Sequence, residues 1–270
     1  MVRLCKAVPA HEKPEFATNP LTFVKTMDER YLFNLFDILD TENIYKSAGT
    51  LRYYLSYVFQ DMTLTDRVVL DIGCGSGIMA AYAAYKGAKL VVGLEPEASG
   101  AKTGYLERGR KIIEALNLND GHIQILPYTI QGFDSKQMKF DVILMHNSIN
   151  HLDEEACRKL HVSQASQQNY INIFKKVSDL LNCGGTLVIL DCSRYNFWPL
   201  LGAKNPFCPQ IQWEKHQSPQ LWVELLQQCG LKGPRIQWAS FKTLRWLGKP
   251  LQNRFTAFFF TSHFRLVMHK

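Results

Sequence analysis

The sequence has no acidic residue between Leu231 and Lys270, yet that stretch carries Lys232, Arg235, Lys242, Arg245, Lys249, Arg254, Arg265 and Lys270. These cations account for the whole formal excess of +7 over the 270 residues. A segment of this kind attracts phosphates, anionic substrates or an anionic membrane surface. Also missing is any C-x-x-C pair among the seven cysteines. The odd count and the missing motif argue against a zinc site or a disulfide framework, and favour reduced thiols in a cytoplasmic protein. No apolar run reaches the roughly 18 residues that span a bilayer. The opening MVRLCKAVPAHEKPEF has no apolar core of a signal peptide, so none is expected. No internal repeat or low-complexity segment is visible. What is present is an ordinary globular balance, 46% hydrophobic and 20% charged, which suffices for a sizeable core.

The apolar residues change period along the chain. From Pro20 to about Met62 they recur at helical spacing, as in Tyr31–Leu39 and again in Ala48–Phe59 with Leu51, Tyr54, Leu55 and Val58 on one side. Short apolar runs then alternate with helical stretches. Strands are expected at 67–72, 90–95, 123–126, 140–145 and 186–191, with helices at 78–86, about 99–116 and about 167–181. Continuous apolar strands separated by helices imply a parallel sheet covered on both faces, and right-handed crossovers make it doubly wound. Near the C-terminus a helix at 222–229 precedes two further strands, 235–238 and 258–268. A short link between these two would make an antiparallel hairpin. The expected fold is therefore α/β: a doubly wound, mostly parallel, seven-stranded sheet with a C-terminal antiparallel hairpin. A helical lid over residues 1–62 precedes a Rossmann-like domain over 63–270, and an insertion at 192–219 is a substrate lid.

The motif with the most chemical content is Val68-Val69-Leu70-Asp71-Ile72-Gly73-Cys74-Gly75-Ser76-Gly77-Ile78. It closes a strand and opens a helix, which is where open α/β sheets bind ligands. Glycines at 73, 75 and 77 let the backbone turn sharply and approach a ligand, and the helix start offers unpaired N–H groups. A dinucleotide fingerprint would need glycine at the position held by Ile78. The spacing Asp-x-Gly-x-Gly-x-Gly instead resembles the first motif of class I S-adenosylmethionine-dependent methyltransferases. That resemblance runs from about Arg67 to Asp191. It implies S-adenosyl-L-methionine as cofactor, with Asp71, Gly73, Cys74, Gly75, Ser76 and Gly77 around its methionine end. It also implies Glu95, with Pro96, at its ribose, where a carboxylate can accept from both hydroxyls. Adenine would lie by Tyr128 and Thr129. The family often has an acid in that turn, and Leu126-Pro127-Tyr128-Thr129-Ile130 has none, so Thr129 or a backbone carbonyl takes its place.

In the family, the segment after the fourth strand faces the transferred methyl group. Here it reads Met145-His146-Asn147-Ser148-Ile149-Asn150-His151, with Met145 expected beside the cofactor. His146 and His151 are candidates for a general base, and Asn147 and Asn150 could orient an acceptor. The segment has neither the Asn/Asp-Pro-Pro-Tyr of many N-methyltransferases nor the glutamate pair of protein arginine methyltransferases. The expected activity is transfer to a small-molecule acceptor, most simply a hydroxyl, by a monomer or dimer with no stable nucleic-acid partner and no metal. Alternatives are a nucleic-acid or lipid methyltransferase using the basic, aromatic segment 231–270 for transient anionic contacts, and a cofactor-binding protein without catalysis. His263 reads as structural, and His216 in the insertion is a further base candidate.

Overall fold

The computed structural model describes residues 37, 47–96, 104–116, 118, 121–239 and 241–270. Helix α1 (Ala48–Val58) starts at Ser47, whose hydroxyl accepts from the Thr50 amide at 3.3 Å. The expected helix at Tyr31–Leu39 lies, but for Asp37, outside the described residues, as do residues 1–20. The alternating part then runs β1 (Val68–Ile72), α2 (Ile78–Tyr85), β2 (Leu90–Leu94), α3 (Tyr105–Ala115), β3 (Ile123–Leu126), β4 (Phe140–His146), α4 (Glu154–Lys159), α5 (Gln164–Leu180) and β5 (Leu181–Cys192). After the insertion come α6 (Phe197–Leu200), α7 (Pro219–Gln228), β6 (Lys232–Trp238), α8 (Arg254–Phe259) and β7 (His263–His269).

The seven strands lie in the order β3-β2-β1-β4-β5-β7-β6. All neighbours are parallel except β5–β7 and β6–β7, which are antiparallel. The sheet reverses its winding between β1 and β4, so the carboxyl ends of these two strands flank the crevice where such folds bind ligands. One face buries Leu70, Ile72, Ile143, Ile189 and Leu266 against Tyr170 and Phe174 of α5 and Trp222 of α7. The other buries Val69, Val91, Val142, Leu144 and Leu190 against Leu51 and Leu55 of α1 and the alanines of α2. Burying one such aliphatic side chain contributes roughly 1.5–3 kcal/mol. Both faces are therefore filled, as the unbroken apolar strands imply.

Arg265 is fully buried on β7. It donates to the carbonyls of Val58 and Gln60 and to Gln237 Oε1, at 2.9, 3.0 and 2.8 Å, and so ties the end of α1 to the sheet. Burial lowers its pKa to about 10, still well above neutrality. It is thus no part of a basic surface. Arg235 is likewise occupied, 3.0 Å from Asp61.

Several expectations need correction. The strand expected from Phe258 begins only at His263, because Asn253 caps a helix over the preceding residues by accepting from the Thr256 amide at 2.9 Å. An unbroken aromatic run fits a buried helix turn as readily as a strand. The link between β6 and β7 is accordingly not short: it spans residues 239–262. Helix α4 was not anticipated, although Asp153 caps it and Glu154 and Glu155 occupy its first turn. Helix α5 starts at Gln164 rather than 167, where Ser163 caps it. The described part of the helix expected from 99 begins at Tyr105, after Gly104, and residues 97–103 lie outside the described set. Cys74, Cys157, Cys192, Cys208 and Cys229 carry free thiols, but Cys183 is disulfide-bonded, so the expectation of seven reduced cysteines does not hold.

Candidate active site

The loop after β1 is held at defined points. The amides of Gly73 and Cys74 both donate to the Leu94 carbonyl, at 2.8 and 3.0 Å, and bind the loop to the end of β2. The Gly75 amide donates to Glu95 Oε2 at 2.7 Å. Glu95 is buried, and its carboxylate thereby sits directly beside the glycine turn. Gly73, Gly75 and Gly77 take φ of 70°, 55° and 73°, a region that side chains with a Cβ enter at a cost.

The three glycines do different work. A Cβ at Gly73 would lie 2.4 Å from Ser148 Cβ, and one at Gly77 would lie 2.6 Å from Ile125 Cδ1. At Gly75 a Cβ would meet nothing within 4 Å. Gly73 is therefore required by packing, Gly77 is favoured by its positive φ against a terminal methyl that can move, and Gly75 borders open space. Gly73→Ala is expected to destabilise the fold by roughly 2–5 kcal/mol through overpacking and strain. Gly75→Ala should cost only about 1–2 kcal/mol yet weaken binding of S-adenosylmethionine. Thermal unfolding paired with calorimetry separates the two.

Asp71 sits at the end of β1 with 1% of its surface exposed, and neither carboxylate oxygen has a hydrogen-bond partner. Burial, reinforced by the nearby Glu95 charge, raises its pKa to about 7, with the Ala80 amide of α2, which lies near without meeting hydrogen-bond geometry, opposing part of the shift. The same burial, with the Asp71 and Glu95 charges, pushes the Cys74 thiol well above its ordinary range, so it stays protonated. A buried carboxylate without donors is costly unless a cation or donor meets it.

The strand register extends this site. Asp71 pairs with Leu144, His146 with Leu190, and Cys192 with His263. Cross-strand partners share a face, and so do residues two apart on one strand. Asp71, His146, Cys192 and His263 therefore line one face of the sheet at one end, the face covered by α1 and α2. On that face Tyr54 of α1 puts its hydroxyl 2.5 Å from His146 Nε2, and His263 Nε2 lies 3.1 Å from Cys192 Sγ. Tyr54 read in the sequence only as one apolar position of a helix. Its helical periodicity placed it on the buried side, but nothing local identified the strand it would meet.

The other sequence candidates fall as follows. Asn147 is exposed at φ 53°, its amide donating to the Leu190 carbonyl at 2.8 Å and its Nδ2 3.4 Å from His146 Nε2. Asn150 is buried with its Oδ1 unmatched. His151 is half-exposed and engaged 2.6 Å from Glu154, which also pairs with Lys215 at 2.9 Å. Met145 lies in the core of the opposite face. Ser76 and Pro96 are partly buried beside the loop, while Tyr128 and Thr129 are exposed on the turn after β3. Thr129 Oγ1 accepts from the Gly132 amide at 3.1 Å. His216, on the insertion, has Nδ1 2.9 Å from Asp191 Oδ1 and so pins the insertion to the end of β5. Asp191, Cys192 and His216 bring ligand-capable atoms within 4.8 Å of one another. Asp191 and Cys192 are consecutive on a strand, however, and project from opposite faces.

Comparison with known proteins agrees with this geometry. The family model described as "Methyltransferase domain" matches residues 48–236, from α1 through the glycine loop to β6. The S-adenosylmethionine dependent methyltransferase from Mesorhizobium loti shares the fold at a TM-score of 0.55 and 14% identity, over 82% of this chain and 98% of that one. The mitomycin 7-O-methyltransferase MmcR shares it at a TM-score of 0.54 and 13% identity, over 83% of this chain and 54% of that one. Protein arginine N-methyltransferase 1 of Saccharomyces cerevisiae is 27% identical over 118 residues, 43% of this chain and 32% of that protein. The chain spans no more than about a third of the length of the curated relatives it matches. No helix among the described residues is long and apolar enough to cross a membrane. The glycine loop, the buried acid at its start and the match over most of the chain lead to one assignment: the chain belongs to the methyltransferase domain family.

Proposed function

We propose that the acceptor is a small molecule presenting a hydroxyl, and that the His146–Tyr54 pair receives its proton. The observation that carries this reading is the common face and end of Asp71 and His146, with Tyr54 reaching His146 from α1. Asp71 would hold the ammonium of the cofactor's methionine end, since its two buried oxygens have no other donor. Glu95 would hold the ribose, and the open space at Gly75 admits the ligand beside the backbone. The bound cofactor supplies an electrophilic methyl group on a sulfonium. Transfer then needs the acceptor oxygen in line with that methyl, and a group to take the proton as the O–C bond forms and the S–C bond breaks. The Tyr54 hydroxyl fixes the His146 ring on the acceptor side. Helix α1 and the insertion 192–219, pinned by His216 to Asp191, form the lid that excludes water.

A guanidinium acceptor, as in the arginine methyltransferases that match part of the chain, is less well served. It needs carboxylates to hold its charge. The segment 146–151 has none; beyond it, Asp153 caps α4 and Glu154 is engaged by His151 and Lys215.

The test is a panel of phenols, aliphatic alcohols, amines and arginine peptides, with release of S-adenosylhomocysteine as readout. Turnover is expected on hydroxyl acceptors. His146→Gln should lower kcat by roughly 10²–10⁴-fold with cofactor Kd unchanged. Activity confined to amines or arginine peptides, or full turnover by His146→Gln, would sink the proposal.

A further inference from the structure

Two segments leave the sheet at the end that carries the glycine loop: residues 193–218, which follow β5, and residues 239–262, which link β6 to β7. The second lies within the acid-free stretch 231–270, and the first has no acidic residue from Cys192 to Trp213. One aromatic scaffold joins them. Phe197 of α6 packs at a tilt against Phe259 of α8 with ring centroids 4.7 Å apart, and Phe207 meets Phe260 at 4.8 Å. The Trp198 indole donates to the Phe259 carbonyl at 2.9 Å.

Large apolar side chains project outward from this scaffold. Leu200 and Leu201 are 65% and 66% exposed, Trp246 and Leu247 are 69% and 62% exposed, and Phe255 is 74% exposed. Exposure of this order costs about 25 cal/mol for each Å² left in water, and a cluster of such residues marks an interaction surface. Lys204, Arg245, Lys249 and Arg254 are exposed on the same segments. Among the described residues no carboxylate lies within ion-pair distance of these four.

We propose that this face docks on an anionic lipid bilayer. An interfacial surface needs Trp, Phe and Leu to enter the acyl boundary and Lys or Arg to meet the headgroups, and these two segments supply both, with Glu214 their one acidic residue. A single-stranded nucleic acid would use the cations and the aromatic rings but has nothing to place against Leu200, Leu201 and Leu247. Docking in this way turns the carboxyl end of the sheet, and with it the His146 side of the active site, toward the membrane. The proposal does not depend on which atom the enzyme methylates.

Flotation of the full chain with vesicles tests it. Vesicles of phosphatidylcholine mixed with phosphatidylglycerol should carry the protein, and pure phosphatidylcholine vesicles should not. Lys249→Gln with Arg254→Gln should lower the partition coefficient by roughly 25-fold, about fivefold for each charge. Trp246→Ser with Phe255→Ser should abolish flotation. Both double variants change exposed side chains, so unfolding temperature and cofactor Kd should stay as in the parent. Absence of flotation, equal flotation with both vesicles, or flotation untouched by the substitutions overturns the proposal. So do two other results: a dimer that Trp246→Ser/Phe255→Ser converts to monomer while vesicles are ignored, and an oligonucleotide bound through Trp246 without vesicle binding.

Discussion

Glu95→Ala is expected to weaken S-adenosylmethionine binding at least tenfold, and the effect should be among the largest of any single substitution outside the core. Two effects combine. A carboxylate that accepts from both ribose hydroxyls contributes roughly 1.5–3 kcal/mol per bond. The same carboxylate accepts from the Gly75 amide at 2.7 Å, so its removal also frees the loop at the point where the ligand would enter. Glu95→Gln keeps an acceptor for that amide while losing the charge, and should fall between the parent and Ala. Calorimetry with S-adenosylhomocysteine measures all three proteins under one condition. An unchanged Kd for the Ala variant would show that the cofactor lies elsewhere, and the assignment of the glycine loop would fall with it.

The glycine turn was legible because its geometry is local. The turn from Asp71 to Gly77 and the acid at the next strand end are set by backbone demands that leave fixed residue types at fixed spacing. The doubly wound, mostly parallel sheet was legible for a related reason: unbroken apolar strands with helices between them admit few arrangements. The surroundings of His146 were not local. His146 could be named from its place after β4, but its partner Tyr54 comes from α1, 92 residues earlier in the chain. Only the packing of α1 on the sheet brings the two together. The same limit separated His146 from His151 only in three dimensions. Both follow β4, yet His151, at the end of the short 3-10 turn Ile149–His151, pairs with Glu154, which is also held by Lys215. The basic count over 231–270 also misled in part. Arg265 is a buried clamp and Arg235 is paired, so among the described residues the exposed charge without an ion pair rests on Lys232, Arg245, Lys249 and Arg254 rather than on the whole stretch.

Asp71→Asn is expected to make the cofactor-free protein more stable and the cofactor complex weaker. The Asp71 carboxyl is buried without hydrogen-bond partners, and its pKa is raised from 3.8 to about 7. A folded-state pKa above the unfolded value means that the folded protein binds the proton more tightly. The stability this contributes is complete below the unfolded pKa and is lost as pH rises through about 7. Asn carries no charge to desolvate, so the variant should gain on the parent across the same window. A gain of roughly 2–4 kcal/mol above neutrality is the scale set by the shift, or about 5–10 °C in Tm for a chain of this size. Binding should move the other way. The methionine ammonium needs the ionised form of Asp71, so parent affinity should rise with pH through about 7, and the Asn variant should lose both that rise and at least tenfold in Kd. Unfolding of both proteins followed from about pH 5 to pH 8, with calorimetry at each end, reads both effects. A stability gap that does not widen with pH would refute the buried charge, and an Asn variant that keeps full affinity would refute its pairing with the cofactor.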